Sequence, residues 1–385
     1  MAASSSLPMM GSRLGNRRLA ALALCLVLLL HITTTTLVLS SNKGKGGGAK
    51  KGGAQKGGGA QKRGGAQKGG DRKGGAPGTA GGKPRGVVHV GDAAPAAGGS
   101  FRARGSGGAI TYHGGPLMTG DINLSILFYG QFTAEQKNVI QSFLRSLENT
   151  ENDHVAAVHR WWDVIESYQL FTGPTPATGT PPRLRIKVGI QQSDDKYSIG
   201  KVLTLTYFKN LVKKADSGKP NTLFVFFTGS QVTVHQLCRG KCYDHGLIDN
   251  KPYLVVGNPE ILCRGACGWP FQRLDYGTPN QVTVKPPNGN MGIDAMLAHF
   301  ASGLAAVVTN PFNTGFFKPG PKSDPIEAGT ACDNIFGSGA VPGKTGKVLV
   351  DPATGGSYNA VGEKGMKFML PAVWNPRTSS CWTAM

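Results

Sequence analysis

Seven cysteines, eight histidines and twenty-two carboxylates are the side chains of this chain best equipped for chemistry. Their spacing excludes several familiar arrangements. The stretch His299-Phe300-Ala301-Ser302-Gly303 lies where zinc peptidases carry His-Glu-x-x-His, after three strands and three helices of the reading below. That motif sets two imidazoles on one helical face with a general base beside them. Here Phe300 takes the base position and Gly303 the second ligand position, and neither can do the chemistry. His299 is therefore expected to pack and hydrogen-bond. No metal ligand, cofactor or catalytic residue is assigned. No Gly-x-Ser-x-Gly nucleophile elbow occurs either. Asp275, Asp294, Asp324, Glu327, Asp333 and Asp351 are candidates for the paired acids of glycoside hydrolysis. Asp333 follows Cys332 and Asp351 precedes Pro352, so both read as turn formers. Trp161 and Trp162 share a helical face and read as core. Trp269, between Gly268 and Pro270, reads as a partly exposed lid and is the candidate glycan contact. Asn123-Leu124-Ser125 is the one N-glycosylation acceptor sequence, placed inside an expected strand that would hinder the modification.

The cysteines also report on the compartment. Arg13, Arg17 and Arg18 precede an apolar run from Leu19 to Leu30, too short to span a bilayer. Small residues follow, so residues 1–40 read as a secretory signal cleaved after Ser40. No later stretch is expected to cross a membrane. Cys25 leaves with the signal. Cys238, Cys242, Cys263, Cys267, Cys332 and Cys381 remain, an even set in an oxidising compartment. Cys238-x3-Cys242 and Cys263-x3-Cys267 also approach structural-zinc spacing, but export favours disulfides. The expectation is that Cys238 and Cys242 pair with Cys263 and Cys267, and Cys332 with Cys381. Which of the first four joins which stays open.

Residues 43–86 repeat Gly-Gly-Ala-Gln-Lys three times and hold 12 Lys and Arg against Asp71, more than half of the net charge of +20. Such a segment has almost nothing to bury and is expected to stay disordered. Residues 41–109 are read as this basic tail and a Gly/Ala-rich linker, with order starting near Ile110. Diffuse positive charge on a coil acts through screened electrostatics. In an exported chain nucleic acid is not the expected partner.

From 110 to 385 the pattern alternates. Ile122, Leu124, Ile126 and Phe128 suit a partly buried strand. Thr133 and Gln136 form a capping box before a helix with Val139, Ile140, Phe143, Leu144 and Leu147 inward. Further helices are expected over 154–168 and 199–214, and strands over 184–190 and 223–227. Residues 230–289 are rich in Cys, Gly and Pro, with one expected strand at 253–256. A strongly apolar helix follows over 291–309, and Pro311 ends it. The fold class is α/β: a single mixed-sheet domain with covering helices and a disulfide-stapled, loop-rich extension.

Several motifs resemble the EXORDIUM, or phosphate-induced, family. They are Tyr112-His113-Gly114-Gly115-Pro116-Leu117 with Phe128-Tyr129-Gly130, the pair Trp161-Trp162, and Cys238-x3-Cys242-x2-His245-Gly246 with Cys263-x3-Cys267-x-Trp269-Pro270-Phe271. Thr309-Asn310-Pro311-Phe312-Asn313, Val350-Asp351-Pro352, Ser357-Tyr358-Asn359-Ala360 and Leu370-Pro371-Ala372 continue the likeness to the C-terminus. Tyr243 stands where the family pattern more often has Gly, and the basic tail is not typical. The resemblance implies a secreted protein of the extracellular space, apoplast and cell wall, associated with growth regulation, cell expansion and brassinosteroid response. It implies no catalytic residue. The partner expected for the tail is then acidic wall polysaccharide, with no membrane contact after signal cleavage. Two alternatives are a wall-polysaccharide hydrolase, which a cleft of convergent carboxylates would favour, and a lectin-like glycan binder, which a groove floored by Trp269 would favour.

Overall fold

The computed structural model describes residues 109–151, 156–320 and 324–385, together with Val87–Val88 and Ser100–Phe101. All belong to one unit, Thr79–Met385. The signal at 1–40 and the basic repeat at 43–86 lie outside the described residues.

Five strands make the central sheet: β1 (Asp121–Tyr129), β2 (Arg185–Asp194), β3 (Thr222–Thr228), β4 (Tyr243–Ile248) and β5 (Lys251–Gly257). Their order is β2-β1-β3-β5-β4. The first four in that order run parallel, and β4 joins β5 antiparallel at the edge. This is the expected mixed sheet. β1 and β3 are buried on both faces, because helices cover both. Ile122, Leu124, Ile126, Phe128 and Phe227 pack with α1 (Ala134–Ser146), α2 (Val158–Glu166) and α4 (Met291–Thr309). Leu127, Tyr129, Phe224 and Phe226 pack on the other side with α3 (Leu205–Ala215). The expectation of a half-buried β1 is thus corrected by the helix behind it.

Local signals account for several boundaries. The Thr133 hydroxyl accepts from the Gln136 amide at 3.2 Å, and the Gln136 side chain accepts from the Thr133 amide at 2.9 Å. The Asn290 side chain accepts from the Ile293 amide at 3.0 Å and starts α4. Trp161 and Trp162 are fully buried and donate to the Pro371 and Leu184 carbonyls. α4 has the length and apolarity of a membrane span, contrary to the sequence expectation, but its side chains are buried within the domain as a core helix is.

Three other expectations are corrected. α3 starts at Leu205, because Val202–Leu203 pairs in parallel with Thr233–Val234 instead of joining the helix. Besides Thr233–Val234, residues 230–289 hold another strand, β4, joined to β5 by Asp249–Asn250 with both φ positive, at 50° and 63°. That is the two-residue turn that closes a tight hairpin. Finally, the linker contributes two short strands. Val87–Val88 pairs with Val348–Leu349, and Ser100–Phe101 with Cys381–Trp382, at β-prone residues that interrupt the Gly/Ala run.

Candidate functional site

A cavity of about 680 Å³ opens where β4 meets the C-terminal half of α4. One wall is Gly240–His245, leading into β4; the opposite wall is the segment 324–334. His299 and Ser302 come from α4, and Asn310 from its C-cap. The third side is the Cys242–Cys267 disulfide. That volume is in the range of small-ligand sites.

The disulfides resolve the open pairing. Cys238 joins Cys263, Cys242 joins Cys267, and Cys332 joins Cys381, with Cα separations of 5.4, 5.6 and 5.7 Å. Each Cys-x3-Cys is therefore split between two bridges, and no cysteine of the two knuckles is left as a thiolate for zinc. The sulfurs of Cys242 and Cys267 and a nitrogen of His299 lie within 4.8 Å of one another. Oxidised, that cluster is a disulfide beside an imidazole. The His299 Nε2–H donates to the Cys267 carbonyl at 2.8 Å, and burial lowers its pKa below the ordinary histidine value. The packing role expected for His299 is what it has.

Position 303 is filled from the other side. A Cβ on Gly303 would stand 2.9 Å from Cδ2 of Tyr243 and 2.5 Å from Cδ1 of Leu254. Tyr243 thus occupies the space beside the helix where a second ligand would project. Phe300 is fully buried against Phe143 and Phe227. The helix is a packing element at both positions.

The polar centre of the cavity joins distant residues. The His245 Nε2–H donates to Oε2 of Glu327 at 2.7 Å, and Asn310 Nδ2 donates to Oε1 at 2.6 Å. The His245 and Glu327 side chains are only 8% and 4% exposed. Burial disfavours the charged imidazole, but the Glu327 carboxylate outweighs it and raises the His245 pKa above its ordinary value. Two buried polar atoms here, His245 Nδ1 and Tyr243 Oη, have no hydrogen-bond partner among the described residues. Buried polar groups are nearly always hydrogen-bonded, so two orphans in one cavity wall mark a place for a ligand atom or water. Burial and then the charges of Glu327, Asp333 and Asp244 push the Tyr243 hydroxyl well above its usual range.

Four carboxylates line the cavity: Asp244, Asp324, Glu327 and Asp333. Three are tied. Asp244 and Asp324 share Lys241, at 3.4 and 2.7 Å, and Glu327 is held as described. Asp333 stands exposed at the cavity wall and accepts from the Asn334 side-chain amide at 2.8 Å. Asp333 is thus a cavity wall residue as well as a turn residue, which its position after Cys332 did not reveal. Of the other sequence candidates, Asp294 caps the start of α4 against Asn288, and Asp351 pairs with Lys367 in its turn. Asp275 does not line the cavity.

Trp269 does border the cavity, but it is 3% exposed and packs with Phe271, Ala298 and Met369. The partly exposed lid is corrected to a buried wall residue. The exposed ring at the mouth is Tyr276, 56% exposed. Asn123 lies mid-strand in β1, between β2 and β3, and its amide donates to the Pro220 carbonyl at 2.9 Å. Sequence reasoning missed His245 and Glu327 as a pair, because 82 residues separate them.

Comparison with known proteins gives a consistent family likeness. The model of the phosphate-induced protein 1 conserved region matches residues 110–384. Protein EXORDIUM-like 1 of Arabidopsis thaliana is 38% identical over 282 residues, covering 71% of this chain and 89% of that protein. Protein EXORDIUM of the same plant is 38% identical over 285 residues, covering 71% and 88%. Protein PHOSPHATE-INDUCED 1 of Nicotiana tabacum is 35% identical over 285 residues, covering 71% and 88%. No solved structure matches.

Proposed function

The chain belongs to the phosphate-induced protein 1 family, whose members include the EXORDIUM proteins, and from that premise we propose that it is a secreted cell-wall protein that regulates growth and cell expansion by binding a ligand rather than by catalysis. The observation that carries this is the cavity at β4, with its preformed His245–Glu327–Asn310 network and two buried polar atoms awaiting partners. A binding site needs such preorganised, few and convergent polar groups. The packing of Phe300 and Gly303 in α4 and the tying of three carboxylates support a non-catalytic role. The signal at 1–40 supports export to the apoplast. The basic repeat at 43–86 supports retention on acidic wall polysaccharide, independently of the cavity.

The test is a melting-temperature and calorimetric screen of the secreted protein against wall glycans and capped peptides, at low and high salt. A stabilising ligand whose affinity falls in Tyr276→Ala is the expected result. Absence of any ligand, or one indifferent to cavity substitutions, overturns the reading.

One observation favours a second reading, wall-polysaccharide hydrolysis: Asp244, Asp324, Glu327 and Asp333 line one cavity. Release of reducing sugar by the secreted protein, lost in Asp333→Asn, would establish it in place of the first.

A further inference from the structure

The cavity is bounded by a sheet edge. β4 pairs only with β5, and its outward backbone groups have no hydrogen-bond partner among the described residues. In an antiparallel pair half of a strand's amides and carbonyls face the neighbour and half face away. Three of the six residues of β4, Tyr243, Asp244 and His245, line the cavity, so part of this short row of unused donors and acceptors faces it. The opposite wall begins at Asp324, its side chain 53% exposed. An extended chain is what such a row accepts, and side pockets then select among sequences.

Charge narrows the choice. The folded region is mildly basic, yet this cavity gathers Asp244, Asp324, Glu327 and Asp333 against Lys241 and His245. The imbalance disfavours a polyanion and favours a basic occupant. A neutral sugar would meet the carboxylates but would leave the edge of β4 unused. Tyr243 and His245, two residues apart on one face of β4, would then supply their unpartnered atoms to the same occupant.

We infer that the cavity receives an extended, lysine- or arginine-bearing peptide segment of a partner protein, added as a strand to the free edge of β4 with its basic side chains among Asp244, Asp324 and Asp333. The inference rests on the reading of this cavity as a binding site and names its occupant. It separates two electrostatic devices in one chain. The basic repeat holds wall polyanion, while the acidic cavity excludes it and takes a cationic peptide.

The test uses the full secreted chain and capped peptides of alternating valine and lysine, or valine and glutamate. Binding is measured by calorimetry. The lysine peptide binds and the glutamate peptide does not. Asp324→Asn, an exposed substitution that should spare the fold, weakens the lysine peptide about tenfold. N-methylation of every second amide is applied in each of its two phases. Strand addition tolerates one phase and loses binding in the other, because only alternate amides face the partner strand. Equal effects of both phases, or equal binding of the two peptides, overturn the inference. If every peptide fails while a glycan binds in a Tyr276-dependent way, the binding-site reading stands and the peptide inference falls. If nothing binds, both fall.

Discussion

Gly303 is closely packed on the side where a Cβ would project. With Tyr243 and Leu254 against it, even a methyl group is crowded. Gly303→Ala should gain about 1 kcal/mol of helix propensity and lose about 1–3 kcal/mol to overpacking. The expected net effect is destabilisation in urea unfolding, smaller in a Tyr243→Ala background where the ring is gone. Equal stability of Gly303→Ala and wild type would mean that the contact is loose. Two buried acids set the pH response. Asp294 is 3% exposed, and burial, despite the bonds from Asn288, pushes its pKa up to about 7. Glu166, fully buried, is likewise pushed by burial up to about 7, against the Leu184 amide and Arg183. An unfolded carboxyl titrates near about 4. Between those values the folded state binds more protons, so stability rises as pH falls from above 7. The raised His245 acts in the same direction: its contribution is present below the ordinary histidine pKa and lost as pH rises through the folded one. Two exceptions oppose it: His299, lowered by burial, loses its contribution as pH falls through the ordinary histidine value, and below the carboxylate range Asp216 and Asp351, lowered chiefly by their lysine partners, withdraw theirs. The melting temperature should therefore be higher at pH 5 than at pH 7.5, and Asp294→Asn should flatten that slope. A flat wild-type profile would contradict the burial argument.

Among the elements, the hairpin β4–β5 and its two bridges shape the cavity. Cys238–Cys263 and Cys242–Cys267 each close 25 residues, and Cys332–Cys381 closes 49. In the chain-entropy account such bridges contribute about 3–4 kcal/mol each. Non-reducing peptide mapping should return these three pairs. Replacing Cys242 and Cys267 together by serine should cost stability of that order and also abolish ligand binding, because the bridge is a wall of the cavity. Replacing Cys332 and Cys381 should cost stability and weaken binding less than loss of the Cys242–Cys267 bridge, because neither cysteine lines the cavity. Binding that survives loss of the Cys242–Cys267 bridge would place the ligand elsewhere. β1 makes a second element-scale prediction. Asn123 has Lys187 on one side, Thr222 on the other and its amide engaged. Mass spectrometry of the secreted protein should find it without a glycan, and full occupancy would show that modification precedes closure of the sheet.

The whole molecule is built from two charge regimes. Residues 43–86 carry a net +11 by the residues they contain, and the cavity of the folded region gathers carboxylates. Deletion of 43–86 should sharply reduce retention on de-esterified pectin, with earlier elution in a salt gradient, since screening at about 0.15 M limits each charge to about 8 Å. The melting temperature and peptide affinity should not change. Identical elution of the two proteins would make the segment a spacer and move wall contact to the folded region.

Those features that depend on neighbours in the chain were legible in the sequence. The Thr133–Gln136 box and the apolar helix from Met291, with Phe300 on its buried side, depend on residues a few positions apart, and the structure returns each. The cysteine set was legible, but which of Cys263 and Cys267 meets Cys238 was not, because either pairing closes a loop of similar length. The edge strand β4 was hidden by His245 and Gly246, although Asp249–Asn250 carried the turn signal. Tertiary structure alone decided that Trp269 is covered, that Tyr243 fills the space at Gly303, and that His245 meets Glu327 across 82 residues. Burial and partnership at such range depend on how the sheet orders its strands, and that order is a property of the packed chain rather than of any segment.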